Sequence, residues 1–562
     1  MAANDNIFLG SGASLTLVPE LDLWIELTST GSGGKEMTIG NTWLAHYKLV
    51  PNMYAGCTLS LYNSSNEKVS EHLIASNTST TIKLTTVWTH ASGHYAIIES
   101  YGAPCPGIHS GNGTAASGNI ARLNADNFLG LMETATFPQV EQEMKQMNLA
   151  LGGTRNVTHQ YRGIRTASGG SLNFVMHSGA MLYYALGKCT QVICNTLAAS
   201  HTNVHRTGTA NGVYIDAGNV ALTGSGSGTS PVTIADSNLG FINTGPIFHK
   251  AITGGSLNMF VPPVNTLTNT LADIDKVIRT TEPSGVVVDP ITYKFDEQNS
   301  SALPSFSLEQ SIAKDPGTLT TDFGATGGNA SHESQNFVRV ARGNRITSLT
   351  LQASEGEEMK MTAELNTRAV ESIRNCNPSA DANLAGYEGR QGKTTNSDLF
   401  NWSGSGGTDM FAPFFFSAGE FSMLGAAFLK MNALTLTINN NLIDKRYMGG
   451  HRDIKDALAA QRTYELQITA TVSDDALFQE IFNEAENDAG TGAGAISVAN
   501  GLIEILFEKD NGEYVKLQFK DYFIDTANWT IPDDKGPVTV EMTCRPRNMH
   551  LCEVKTGYVL QG

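Results

Sequence analysis

The sequence predicts a mainly β protein: two tandem β-sandwich or barrel domains, each with one short α-helix, plus two β-rich insertions. Three observations carry this reading. Charged residues are 16% of the 562 and glycines number 56, against roughly 25% charged in ordinary soluble domains, which favours short strands and turns over charged helices. The chain is also too long for one compact domain. Finally, it repeats itself. GGTRNVTHQYRGIRT around Gly152 matches GGHRDIKDALAAQRT around Gly449 at Gly152, Gly153, Arg155, Arg165 and Thr166, which fall on Gly449, Gly450, Arg452, Arg462 and Thr463.

Each block is followed by an alternating strand pattern and then a short helix. Ala180, Met181, Leu182, Ala185 and Leu186 mark the first helix, and Ala476, Leu477, Phe478, Ile481 and Phe482 the second. In the second, Ser473 or Asp474 is placed to cap the first turn, and the apolar residues form one stripe. The first copy continues through Phe306 and Leu308, then Ile346, Leu349 and Leu351, a turn at Glu355-Gly356, and a strand from Met359 to Leu365. The second runs from Leu502 to Phe507, turns at Asn511-Gly512 as a two-residue hairpin and returns through Tyr514 and Leu517. A last hairpin joins Tyr522–Trp529 to Val538, Val540 and Met542 across Lys535-Gly536.

These elements divide the chain. Residues 1–27, 126–188 and 291–370 make the first domain, and residues 429–562 the second with its C-terminal arm. Residues 28–125 are an inserted β domain expected on an outer surface, 189–290 a Gly/Ser/Thr-rich insertion, and 371–428 a connector. Phe414, Phe415 and Phe416 at the connector's end are expected to serve a core or a subunit contact.

With 54 acidic against 37 basic residues the formal charge is −17, a field that repels nucleic acid. Four acidic and five basic residues fall in 28–125, and six and four in 189–290, leaving −16 on the rest. No secretory signal opens the sequence, and the apolar run Phe411–Phe416 is far too short to span a bilayer. Seven cysteines at irregular spacing make no secreted disulfide framework. Nothing in the sequence requires Cys57 and Cys105 to pair.

Catalytic patterns are weak. Cys189, Cys194, His201 and His205 stand in an order that offers zinc thiolate and imidazole ligands, but the middle spacing is shorter than zinc fingers use, and unpaired thiols with loop histidines are the simpler reading. Gly31–Lys35 lacks the early glycine and the Ser or Thr of a phosphate loop. No nucleophile elbow occurs. Asp474-Asp475 and Asp533-Asp534 are explained by a helix cap and a turn. Neither a catalytic residue nor a cofactor is expected. Arg155 and Arg452 recur beside Gly-Gly and are candidates for pairing with an acid on a neighbouring subunit, or inside their own domain.

The ordered series resembles the tail tube proteins of long-tailed phages. It runs from Phe8-Leu9-Gly10-Ser11-Gly12 and Val18-Pro19-Glu20 through GGTR, Ser168–Leu172 and Met181–Gly187, then Pro304–Glu309, Gly343–Thr350 and Leu434–Leu442. The resemblance covers about two-thirds of the chain, with the insertions outside it. It implies tube-type domains, stacked rings around a channel for DNA, and a virion location after assembly in the host cytoplasm. Single-domain subunits of this kind form hexamers, so a duplicated chain is expected to form trimers. Partners implied are further copies, tape-measure, tail terminator and baseplate or tail-tip proteins, and in contractile tails a sheath. An acidic lining lets DNA slide; Glu355, Glu357, Glu358, Asp533 and Asp534, near turns, are the candidate lumen-facing acids. The rival readings are a tail sheath or other tail structural protein, and a carbohydrate-binding adhesin suggested by Trp88 and Tyr95 taken as exposed.

Overall fold

The computed structural model describes, with short breaks, residues 13–104, 127–192, 291–313, 336–372, 413–471 and 502–556, together with four short strands between residues 222 and 259. The protein is mainly β, as its composition predicts. Strand β1 (Ala13–Pro19) belongs to the body of the molecule. The next six, β2 (Leu23–Thr30), β3 (Glu36–Ile39), β4 (Thr58–Tyr62), β5 (Lys68–Asn77), β6 (Thr81–Leu84) and β7 (Tyr95–Ile98), close a barrel in the order β2-β3-β6-β5-β4-β7. Closure pairs both edges of every strand and so removes exposed edges. Alternate residues such as Leu23, Ile25, Leu59 and Ile98 fill the interior. The barrel opens at Leu23, a little before residue 28, because β2 must pair with β7 to close it. Trp88 and Tyr95 are not exposed aromatics. They are 4% and 8% exposed; the Trp88 indole N–H donates to the Glu36 carbonyl at 3.1 Å, and Tyr95 stacks on Tyr62 at 5.2 Å.

After the barrel come β8 (Asn127–Phe128), β9 (Met132–Thr136), β10 (Gln139–Met147) and β11 (His159–Val175), then helix α1 (Ala180–Leu186) and β12 (Gly187–Val192). The helix forms where expected, buries Met181, Leu182, Ala185 and Leu186, and ends at Gly187, whose φ of 104° is the left-handed geometry glycine tolerates. Four short strands, β13 (Leu222–Thr223), β14 (Thr233–Ile234), β15 (Lys250–Thr253) and β16 (Ser256–Met259), form two hairpins in the second insertion. The first half finishes with β17 (Ile291–Glu297), β18 (Phe306–Ala313), β19 (Asn336–Ser354), β20 (Lys360–Thr367) and β21 (Ala369–Ser372).

The second half comprises β22 (Gly419–Met423), β23 (Ala426–Ala427), β24 (Met431–Asn439), β25 (Leu442–Lys445), β26 (Asp456–Ala459), β27 (Thr463–Thr471), β28 (Ile503–Glu508), β29 (Tyr514–Thr530) and β30 (Thr539–Thr556). Its expected helix, near Asp474–Phe482, lies outside the described residues. Of the two-residue turn expected at Asn511-Gly512, Asn511 lies outside the described residues, and the strands close at Lys509 and Glu513. Gly512 donates to the Lys509 carbonyl at 2.9 Å, Lys509 donates to the Glu513 carbonyl at 2.8 Å, and Gly512 takes φ 80°, so the glycine serves as the left-handed residue of a bulged hairpin.

The two halves are joined strand to strand. Strand β19 is paired over Ser348–Ser354 with β24 of the second half, and β17 pairs with β30. One apolar core therefore runs from Leu17 through Leu351 and Leu436 to Val554. The described ends of the 371–428 connector join the sheet, with Phe421 and Met423 buried in that core.

Barrel and body meet at a buried polar joint. Val18, Val338 and Val340, on body strands, complete the barrel's apolar core. Beside them Glu20, 4% exposed, accepts hydrogen bonds from Ser305 and Ser307 Oγ at 2.5 Å each, from the Gly343 N–H at 2.7 Å and from the Gly102 N–H at 2.8 Å. The body's Arg342 donates to the barrel-side carbonyls of Gly102 and Ala55 at 3.0 and 3.3 Å, and Arg368 donates to those of Tyr101 and Gly56. A buried ion is tolerated when its polar atoms are satisfied and costly when a partner is removed. Glu20→Ala strands four donors, so it is expected to lower unfolding stability by about 3 kcal/mol or more. Denaturant titration checks this, and a shift below about 1 kcal/mol contradicts the joint.

Candidate assembly surfaces

The ladders reveal the repeat in atomic register. Strand β11 pairs with β9 through Ser171↔Thr136, Leu172↔Ala135 and Asn173↔Thr134, then skips one residue to Phe174↔Met132. Strand β27 pairs with β24 through Gln467↔Thr435, Ile468↔Leu434 and Thr469↔Ala433, then skips one residue to Ala470↔Met431. The bulge is the same. In β19–β20 the register skips between Ile346↔Leu365 and Ser348↔Glu364; in β29–β30 it skips between Ile524↔Cys544 and Thr526↔Thr543. The four-strand ladder of the second half is thus a structural copy of that of the first, with β9 matching β24, β11 matching β27, β19 matching β29 and β20 matching β30. The sequence offset seen at the two Gly-Gly-x-Arg blocks changes by one at Gly169-Gly170, where β11 bulges against β20 and Gly169 takes φ 76°.

Matched positions differ sharply in exposure. Leu351 and Ala353 on β19 are each 1% exposed, whereas their counterparts Trp529, near the end of β29, and Ile531, just beyond it, are 54% and 73% exposed. Arg345, 4% exposed, corresponds to Phe523, 39% exposed. The hairpin arms differ likewise. The second-half arm, β25–β26, lies on the first half and barrel: Asp456 takes Arg345 at 2.8 Å, the Ala459 N–H donates to the Ser301 carbonyl at 2.8 Å, and Lys455 donates to Thr58. The first-half arm, β10 with the start of β11, is exposed along its length and carries Val140, Met144, Met147, Tyr161 and Ile164 into solvent.

These features describe a chain built from two like units with apolar, strand-bearing faces at opposite ends of the repeat. Residues 124–544, well over half the chain, match the family described as phage tail tube protein. The chain belongs to that family. A comparison with curated proteins found no match. Among solved structures, a chain of the anti-feeding prophage baseplate, from a six-fold-symmetrised cryo-electron-microscopy structure, is similar at 13% identity over 24% of this chain and 89% of that one. Its TM-score of 0.19 carries no structural argument.

The tail tube chain places its sequence-derived candidates as follows. Glu355 and Glu357 are exposed at the β19–β20 turn, and Glu358 is half-buried. Lys360 lies 3.7 Å from Glu357 and 2.9 Å from Glu133. Asp533 is exposed at the β29–β30 turn, and Asp534 lies outside the described residues. Glu355 follows Leu351 by the interval at which Asp533 follows Trp529, so the two acids occupy matched hairpin tips. Arg155 lies outside the described residues; Arg452 is exposed, and its carbonyl accepts the Arg165 N–H at 3.3 Å. Phe414 is 1% exposed beneath Lys509, whose Nζ sits 4.2 Å above the ring. Phe416 packs on the same core while Phe415 is 49% exposed. Of the two uses expected for this cluster, core or subunit contact, Phe414 and Phe416 serve the core, Phe416 from the first residue of a 3-10 turn. Of the zinc candidates, Cys189 lies on β12 with its side chain outside the described residues, as are Cys194, His201 and His205.

Arg462, noted in the sequence as a repeat position, has a role that its sequence neighbours do not reveal. It donates to the Ala185 and Leu186 carbonyls at 3.3 and 3.2 Å, capping the C-terminus of α1 from the other half, and to Asn440 Oδ1 at 2.8 Å. Positive charge there satisfies carbonyls the helix leaves open. Arg462→Ala is expected to cost about 1–3 kcal/mol in a denaturant titration, with Arg462→Lys recovering part. Burial pushes the Cys544 thiol up to about 12. The thiolate is the reactive form, so iodoacetamide at pH 8 should leave Cys544 unmodified until denaturant is added, as read by peptide mass mapping. Stability from this group is full below its ordinary value near 9 and is lost as pH rises toward 12.

Proposed function

We propose that the chain polymerises as stacked rings into the hollow tail tube through which genomic DNA leaves the virion, with three chains per ring supplying six like sheet segments. The ladder between β19 and β24 carries this reading, because it already joins two like units side by side within one chain. Repeating that joint between chains continues the sheet, and a closed ring satisfies every edge that it uses. Its role is structural, not catalytic.

The charge supports a conduit. A net −17 opposes counterion-release binding of DNA, and Glu355 and Asp533 repeat a carboxylate at matched tips, where we assign them to the channel lining. We assign the barrel, Leu23–Ile98, to the outer wall. Partners follow from the role: further copies, a tape-measure protein, a tail terminator and baseplate or tail-tip proteins, with assembly in the host cytoplasm. An adhesin is disfavoured because Trp88 sits in the barrel core and Tyr95 is covered by its stack on Tyr62, so neither presents a sugar platform.

Negative-stain electron microscopy of purified protein at rising concentration is expected to show hollow, cross-striated filaments with threefold end views. Discrete particles at every concentration, with a tape-measure or tail-tip protein supplied, overturn the tube reading.

A further inference from the structure

We infer that one copy of the chain hands strand β9 to the β29 edge of the next in a defined register, pairing Ala135 with Ile531, Thr136 with Thr530 and Phe137 with Trp529. This deepens the tube reading by naming the joint between chains.

The register comes from the chain's own symmetry. Inside one chain, β24 seats on β19 through Ala353↔Leu434, Gln352↔Thr435 and Leu351↔Leu436. The ladders fix β24 as the counterpart of β9, since both bulge at the same step against β27 and β11. They fix β29 as the counterpart of β19, since both bulge at the same step against β30 and β20. Transferring the seat gives the three pairs above. Bulges pin register, so a one-residue slip would turn every side chain to the wrong face.

Exposure identifies where the seat is filled and where it awaits a second copy. Beside β24, Leu351 and Ala353 are 1% exposed; at the matched seat Ile531 is 73% exposed. Strand β9 is itself exposed from Glu133 to Thr136 on a chain whose matched strand is sandwiched between two ladders. The arms obey the same transfer. Arm β25–β26 covers Arg345, so the matched arm β10–β11 of the incoming copy covers Phe523 with the apolar residues it now holds in solvent, Met144 and Ile164 among them. At the tip, the Glu355 N–H donates to the Asn432 carbonyl at 2.9 Å; the transferred bond runs from the Asp533 N–H to Glu133, whose charge Lys360 holds at 2.9 Å. The surface is used head-to-tail, since the two faces differ, and such contacts propagate into rings or filaments instead of stopping at a dimer.

Paired antiparallel residues have Cα atoms about 4.5–5.5 Å apart, within disulfide reach. The test is therefore the double variant Ala135→Cys with Ile531→Cys, oxidised after assembly and read on non-reducing gels. The control, Ala135→Cys with Asn528→Cys, lies about 10 Å out of register. Cys57, Cys544 and Cys552 are buried, and the parent chain oxidised in parallel accounts for the remaining cysteines. Linked multimers from the first pair and not from the control or parent are the expected result. Tubes in the microscope with no 135–531 link overturn this joint and leave the tube reading standing. Equal linking by both pairs overturns the register. Ile531→Asp should keep the parent's melting temperature as a single chain and abolish assembly; unimpaired tubes from it overturn the proposal as well.

Discussion

A strand edge carries backbone donors and acceptors that must be paired, and the satisfaction of one such edge organises this molecule. Over Ser348–Gln352, β19 has β20 on one flank and β24 on the other. That arrangement commits both halves to a single ladder, and a single ladder in turn commits them to a single core. Leu349 and Leu351 from one half and Leu434, Leu436 and Ile438 from the other are all at or below 1% exposure in it. A sheet split between the halves would leave both edges exposed to unplanned pairing.

The same physics is resolved differently in the barrel. Six strands close on themselves, so the barrel offers no ladder to its surroundings and must be attached by other means. Three valines supply a small apolar contact. Orientation comes from the buried Glu20 carboxylate and the Arg342 and Arg368 guanidiniums, which address specific backbone groups of loops at the barrel's end. Hydrogen-bonded ions of this kind constrain angle and position in a way that apolar contact does not.

Function in a tail tube protein is distributed over surfaces and not gathered into a cleft. Duplication within one chain gives the two units freedom to diverge at matched positions: Leu351 against Trp529, Arg345 against Phe523, a short arm against a long apolar one. The unit that finds its neighbour inside the chain has a sealed seat. Its counterpart presents larger and more apolar side chains, the surface we assign to a second copy.

The sequence by itself determined the class of structure and much of its local detail. Low charge and abundant glycine announced strands and turns, and alternation in Lys360–Thr367 matches its alternate burial residue by residue, because side chains of a strand point to opposite faces. The apolar spacing from Ala180 to Leu186 announced the helix, and Gly-Gly-x-Arg announced the duplication. Alternation names the face of a strand but not its neighbour, so nothing in residues 431–439 said that they would seal β19. Nor did composition reveal that Trp88 and Phe414 turn inward, since burial of an aromatic depends on which elements enclose it. Only the tertiary structure decided those neighbours, through ladders whose matching bulges set the two halves in register.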